Sequence, residues 1–187
     1  MKKHENPFID EITKTYTKRI FHLSSIKLPE GLTKKCVWCL GELKGAQRRW
    51  CGDECVESAQ AWAHPQKEQG LWNLFQKQDF KCKSCQFDYA AVIEEMFKQP
   101  KLPYGFKEYK DTWRTKFSYW VITKLKQHLH ASDPEHNPEV DHVVPIYKGG
   151  LSLSVDNLQC ICYTCHKVKT KTDLSGKRKK NEQIQSE

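Results

Sequence analysis

Long apolar runs are missing from this 187-residue chain. Nothing approaches the roughly 20 residues that a membrane-spanning helix needs, which argues against an integral helical membrane protein. An apolar segment is also missing behind the basic start at Met1 to Pro7. That reads as no secretory signal and predicts a cytoplasmic chain whose thiols stay reduced. Hydrophobic residues are sparse at 38%, and a core this lean usually leans on metals or disulfides. Acidic residues are outnumbered, 23 Asp and Glu against 31 Lys and Arg, for a formal net charge of +8. An excess of this size favours a polyanionic partner, nucleic acid first. The length suits one medium domain or two small ones.

Cysteine, in contrast, is abundant and ordered. Eight of the nine fall in short-spaced pairs: Cys36 and Cys39, Cys51 and Cys55, Cys82 and Cys85, Cys162 and Cys165, with Cys160 left over. Such pairs in an unsecreted chain point to tetrahedral thiolate zinc, because the tight turn of Cys-x-x-Cys presents two sulfurs to one ion. A thioredoxin-like redox pair would need a βαβ setting that the pattern does not offer. Cys36, Cys39, Cys51 and Cys55 are close enough to close one knuckle alone, with Asp53 available to cap a helix from Cys55 to Ala63. The two remaining pairs each lack a partner, so one zinc joining Cys82 and Cys85 to Cys162 and Cys165 is the economical solution. Two structural zinc ions are therefore expected.

Between these motifs, residues 1–30 read as an extended or partly helical lead-in. Leu71, Trp72, Leu74 and Phe75 fit one face of a short helix entering Cys82. Val92, Ile93, Met96 and Phe97 mark a second helix from Tyr89 to Gln99, before Pro100. A turn-rich stretch, "KLPYGFKEYK", follows. The longest helix is predicted from Lys110 to His130, with Trp113, Phe117, Trp120, Val121 and Leu125 as its apolar stripe. After "SDPEHNPE", "VDHVVPIY" reads as a strand ended or kinked by Pro145. Gly149 and Gly150 supply a turn, "LSLS" a return strand, and a helix starts near Tyr163.

Within that strand, Asp141 and His142 stand side by side. Alone, they would read first as a hydrogen-bonded pair at a strand end. Their context decides the reading: "EVDHVVPIYKGG" followed by "DNLQCICYTCHKVKT" resembles the HNH endonuclease motif on the ββα-metal fold. It resembles the version stapled by two Cys-x-x-Cys pairs, over roughly Leu71 to Thr172. The upstream "CVWCLGELKGAQRRWCGDECV" is similar to a zinc knuckle that precedes the HNH unit in some bacterial members. The segment between Cys85 and Asp141 exceeds what the minimal motif needs and reads as a helical insert over 86–138.

The resemblance implies a metal-dependent hydrolysis of DNA that leaves 3′-hydroxyl and 5′-phosphate ends. A neutral imidazole with a pKa of about 6.5 suits the general base, and His142 is the candidate. Asp141 and His166 are the expected protein ligands of a catalytic divalent ion, magnesium or manganese, which would relieve charge on the leaving oxygen. Adjacent strand residues face opposite ways, so Asp141 and His142 serve different partners only if the strand twists or ends there. Asn157 matches the middle asparagine of the motif, whose amide holds the loop that orients the base; outside that motif it would read as an ordinary turn asparagine. Some relatives place a further histidine one helical turn after His166, where this chain has Thr170.

Lys148, Lys167, Lys169 and Lys171, with Arg48 and Arg49, are the expected nucleic-acid contacts. The predicted organisation is α+β: a lead-in (1–30), a zinc knuckle (31–66), the HNH domain with its four-cysteine staple (67–175), and a basic, polar tail (176–187) expected to be disordered. DNA is the expected partner, with no membrane, as a monomer or homodimer. The competing readings are a zinc-built nucleic-acid-binding module that does not cut, and a zinc scaffold for proteins.

Overall fold

The structure is a computed structural model that describes residues 2–65, 67–99, 109–116 and 118–184, the last nine of these by backbone alone. It is α+β: six α-helices among the described residues, with one two-stranded sheet. Two compact units divide the chain, one of residues 1–71 with 142–158, the other of 72–141 with 159–187.

In the first unit, α1 (Pro7–Thr15) starts because Asn6 caps it, its side-chain oxygen accepting from the Phe8 amide at 3.1 Å. An asparagine in that place satisfies one of the orphan donors of the first turn. Asn6 is fully buried, and its amide also donates to the carbonyls of Lys27 at 2.6 Å and Val37 at 2.8 Å. One side chain thus ties the helix, the lead-in and the first cysteine turn together. Helix α2 (Asp53–Ala63) begins one residue after Gly52, which is its cap. Asp53, expected as the cap, is the first helical residue instead, where its charge suits the helix's positive end. The core collects Ile9, Phe21, Ile26, Val37, Trp38, Ala59 and Leu153 around the buried cysteines.

The second unit is built on aromatic contacts. Helices α3 (Glu68–Lys77), α4 (Tyr89–Lys98) and α5 (Tyr119–Ser132) supply its core. Phe75 lies 4.9 Å from Tyr89 and 5.6 Å from Phe80, and Phe80 lies 5.1 Å from Trp113 between ring centroids. Val121, Ile122, Leu125 and Leu129 of α5 are buried. Much of the insert between Cys85 and Asp141 is therefore core. Strands β1 (Pro138–His142) and β2 (Leu158–Cys162) pair with each other, and α6 (Tyr163–Ile184) leaves directly from β2.

Three elements differ from expectation for visible reasons. The helix expected from Lys110 begins only at Tyr119. Before it, residues 109–116 form turns in which the Thr115 hydroxyl bonds the Thr112 carbonyl, a local bond that competes with regular helix. Trp113, Val121 and Leu125 are buried as the stripe predicted, but Trp120 is 52% exposed, and Phe117 lies outside the described residues. "LSLS" is not a strand, because Leu153 is drawn into the first unit's core and the Ser152 amide bonds the Tyr16 carbonyl at 3.0 Å. The return strand is "LQCIC" instead. At the far end, α6 stays helical through Ile184 where a disordered tail was expected, and residues 185–187 lie outside the described residues. Most of "KLPYGFKEYK" does too.

Candidate functional site

The first cysteine group has Cys39, Cys51 and Cys55 sulfurs 3.5–3.6 Å apart, and Cys36 completes a set of four within 4.8 Å. The second brings Cys82, Cys85, Cys162 and Cys165 equally close, with Cys85 and Cys162 sulfurs 3.7 Å apart. Zinc–sulfur bonds of about 2.3 Å put tetrahedral sulfurs about 3.8 Å apart, so both groups fit that ion. These separations also lie far beyond a disulfide's bond of about 2.05 Å.

Each group rests on the same backbone turn. Lys35 pairs with Glu42 around Cys36 and Cys39, and Lys81 pairs with Asp88 around Cys82 and Cys85. The Leu40 amide bonds the Cys36 carbonyl and the Gln86 amide the Cys82 carbonyl, both at 3.0 Å. Leu40 (φ 54°) and Gln86 (φ 64°) take the left-handed conformation that closes the turn. Burial works to raise the Cys82 thiol's pKa, but amides of Cys85, Cys162 and Ser84 outweigh it and bring it down to about 7. Burial likewise opposes Cys39, and the Gly41 amide with neighbouring sulfurs brings it to about 7. Cys55 and Cys162, by burial first, are held above the ordinary thiol range. Each group thus contains one sulfur ready to be thiolate near neutrality, which is the form that takes metal.

In the second unit, strand β1 and helix α6 place a different set of donors together. Glu139 and Asp141 are two apart on β1 and share a face. His166, Lys169 and Asp173 fall on one face of α6 at helical spacing. The His166 ring engages Glu139 through Nδ1. That leaves Nε2 towards Asp141, 3.7 Å from its Oδ1. The other Asp141 oxygen, Oδ2, accepts from Gln159 at 3.3 Å and from Lys169 Nζ at 3.0 Å. The carboxylate therefore divides its two oxygens, one facing the imidazole and one held by fixed donors. Asp173 holds Lys169 from the other side at 2.8 Å. Burial works to lower the Lys169 pKa, but the two carboxylates outweigh it and keep the ammonium above its usual range. A half-buried oxygen and an imidazole nitrogen, each steadied by a second partner, fit a divalent ion.

In the first unit, the half-buried His142 opens the loop that Asn157 closes. The Val143 amide donates to the Asn157 carbonyl at 2.8 Å. The Asn157 side chain accepts from the Val144 amide at 2.8 Å and donates to the Val144 and Leu151 carbonyls, both at 3.0 Å. Both ends of one amide thus pin a loop at two points.

The two glycines in this loop serve different needs. Gly149 has φ 89° with open space around it, whereas a Cβ on Gly150 would lie 1.9 Å from the Val144 carbonyl oxygen and 2.8 Å from the Asn157 amide nitrogen. Gly149→Ala should therefore cost about 1–2 kcal/mol, the left-handed penalty alone. Gly150→Ala collides with backbone and should cost about 3 kcal/mol, at the upper end of overpacking. Urea midpoints of the two variants, with equal slopes, check the difference.

Residues 127–172 match the HNH endonuclease family. The chain carries an HNH domain. Its relatives include the mouse protein "DNA annealing helicase and endonuclease ZRANB3", 27% identical over 142 residues, which span 76% of this chain and 12% of the relative. The human protein of that name is 27% identical over 122 residues, 65% of this chain and 11% of the relative. This chain thus spans about an eighth of the length of the curated relatives it matches. No solved structure matches. Within the matched stretch lie Asp141, His142, Asn157 and His166.

The basic residues expected to bind nucleic acid divide by surroundings. Lys148, Lys167, Lys171 and Arg48 are exposed, Lys148 over the Tyr147 ring and Lys167 over that of Tyr163. Arg49 instead braces the first unit, donating to the carbonyls of Leu23 at 3.0 Å and Ile26 at 3.3 Å. Lys169 is occupied by Asp141 and Asp173. Glu139, Gln159, Asp173 and the steric need for Gly150 went unread from sequence. Glu139 and Asp173 share periods with Asp141 and His166, but spacing alone does not single them out, and Gln159 comes from the paired strand β2.

Among the described residues, no helix is long and apolar enough to cross a membrane.

Proposed function

We propose that this chain is a metal-dependent HNH endonuclease that hydrolyses DNA phosphodiester bonds, with a structural zinc in each four-cysteine group. The observation that carries the reading is the division of labour around Asp141: Oδ1 faces His166 Nε2 at 3.7 Å, while Lys169 and Gln159 hold Oδ2. The relatives' names, which include "DNA" and "endonuclease", support the same substrate class.

Asp141 and His166 would hold a magnesium or manganese ion. When bound, that ion supplies Lewis-acid relief of the charge that develops on the leaving oxygen. Glu139 fixes the His166 ring so that Nε2 is the ligating atom. His142, as neutral imidazole, takes a proton from water while the water oxygen bonds to phosphorus and the P–O3′ bond breaks. The leaving 3′ oxygen takes a proton from solvent water to become a hydroxyl, and the phosphate stays on the 5′ end. Asn157 positions His142 by holding the loop that follows it. Lys148, Lys167, Lys171 and Arg48 contact phosphates, each neutralised phosphate adding about 0.9 to the logarithmic salt slope.

Supercoiled plasmid is the first substrate to try, with magnesium or manganese added to zinc-loaded protein. The wild-type chain should nick or linearise it only with the added ion. Asp141→Asn should keep two zinc ions per chain, bind manganese at least about tenfold more weakly by calorimetry, and cut correspondingly less, since loss of even an outer-shell partner costs about 10–100-fold. A wild-type chain that binds plasmid but cuts it with neither ion would point to a non-cleaving binding module.

A further inference from the structure

The start of α5 exposes two large aromatic side chains in succession. Tyr119 and Trp120 are each 52% exposed, their rings 6.0 Å apart and 79° inclined. Their neighbours Val121 and Ile122 are fully buried, so α5 presents a core face on one side and this aromatic pair on another. Neither ring is needed for the core that Trp113, Val121 and Leu125 already fill.

The charge around the pair points to its occupant. Helix α5 contains no aspartate or glutamate, while Lys124, Lys126, His128 and His130 lie along it. Lys116 is exposed just before the helix, and Lys124 sits one turn on from Trp120. A second copy of this helix would set lysine against lysine in the self-complementary contact of a two-fold dimer. A polyanion carrying flat apolar rings matches both features, because bases stack on exposed aromatics while lysines track the phosphates. In a duplex those base faces are already covered by their neighbours.

We infer that Tyr119 and Trp120 form a stacking platform for unpaired bases, with Lys116 and Lys124 as phosphate contacts, so that this surface binds single-stranded DNA. The inference deepens the nuclease reading and rests on it for the kind of polymer bound. It gives the helical insert a part in choosing substrates with an unpaired segment.

The test is fluorescence anisotropy of the zinc-loaded 187-residue chain with a labelled thymidine strand of about 20 nucleotides and with a duplex of about 20 base pairs. Tyr119→Ala with Trp120→Ala should weaken single-strand binding roughly tenfold or more and duplex binding less than about twofold. The slope of log affinity against log salt should stay unchanged, since the lost contacts are to bases rather than phosphates. Trp120→Phe should recover most of the affinity, and zinc content with far-ultraviolet circular dichroism verifies that the variants fold. Equal losses on both probes, no loss on the single strand, or no single-strand binding by the wild-type chain would overturn the inference. So would a double variant that changes only the oligomeric state by light scattering. A chain that uses this pair to bind single strands but never cuts plasmid would sink the nuclease reading alone. One that cuts plasmid while the double variant keeps full single-strand affinity would sink the platform alone.

Discussion

Cys162→Ser should abolish the cooperative folding of the unit made of residues 72–141 and 159–187. Cys162 and Cys82 are buried at 1% and 0% exposure, and the Cys162 amide donates to the Cys82 sulfur at 3.3 Å. The sulfur of Cys162 thus belongs to the core as well as to the candidate zinc set. Structural zinc contributes roughly 10–16 kcal/mol in zinc-finger peptides at pH 7, against about 5–15 kcal/mol for the whole stability of a domain. A serine hydroxyl is a poor substitute for thiolate, so most of that contribution disappears. Zinc per chain should fall from two to one, because the group of Cys36, Cys39, Cys51 and Cys55 closes separately. Hydrogen exchange should show lost protection at Val121, Ile122 and Leu125 but retained protection around Leu40. Strong chelation should remove both ions, and acid acts in the same direction because the ligands must be deprotonated. A Cys162→Ser chain that keeps two zinc ions and its full melting transition would refute the second metal site.

His142→Ala should cut DNA about 10²–10⁴-fold more slowly, the range a positioned base contributes. Folding should survive, since the side chain is only half-buried and Asn157 holds the loop through backbone atoms and its own amide. Zinc content, manganese affinity and plasmid binding should therefore match wild type while single-turnover cleavage falls. The contrast with Asp141→Asn is diagnostic: one variant loses the ion, the other keeps it without turnover. Residual cleavage above about a tenth of wild type would exclude His142 as the base.

Both sets of candidate metal donors are legible in the sequence, to different depths. The cysteine pairs could be read because thiolate spacing is a local property of a tight turn, and the sulfurs do converge in the expected fours. Asp141 and His166 were legible through their motif, but the side chains that steady them were not. Glu139 and Asp173 lie at the right periods of two and 3.6 residues, yet many carboxylates do. Only the approach of β1 to α6 shows which of them matter.

Helix α5 shows a different limit. Trp113, Phe117, Trp120 and Val121 recur at helical spacing, so periodicity alone extends the helix back to Lys110. Ser118 instead takes an extended conformation and caps α5, its side chain accepting from the Val121 amide, and Trp120 beyond it is 52% exposed. "LSLS" alternates as a strand should, but burial of Leu153 elsewhere outweighs the local pattern. The first difference is local, whereas in the second tertiary packing decides against the local pattern.

The two four-cysteine groups also differ in when a growing chain can complete them. The first is finished once Cys55 has emerged, whereas the second waits for Cys165, with His166 immediately behind it. At synthesis rates of about 5–20 residues per second, the interval is on the order of ten seconds. During it, Cys82 and Cys85 are present with half a ligand set, and the unit they will staple has no β2. The last cysteine of this group and the histidine proposed to hold the catalytic ion therefore arrive together, so on that proposal a nascent chain has no ion site before the scaffold that aims it can form.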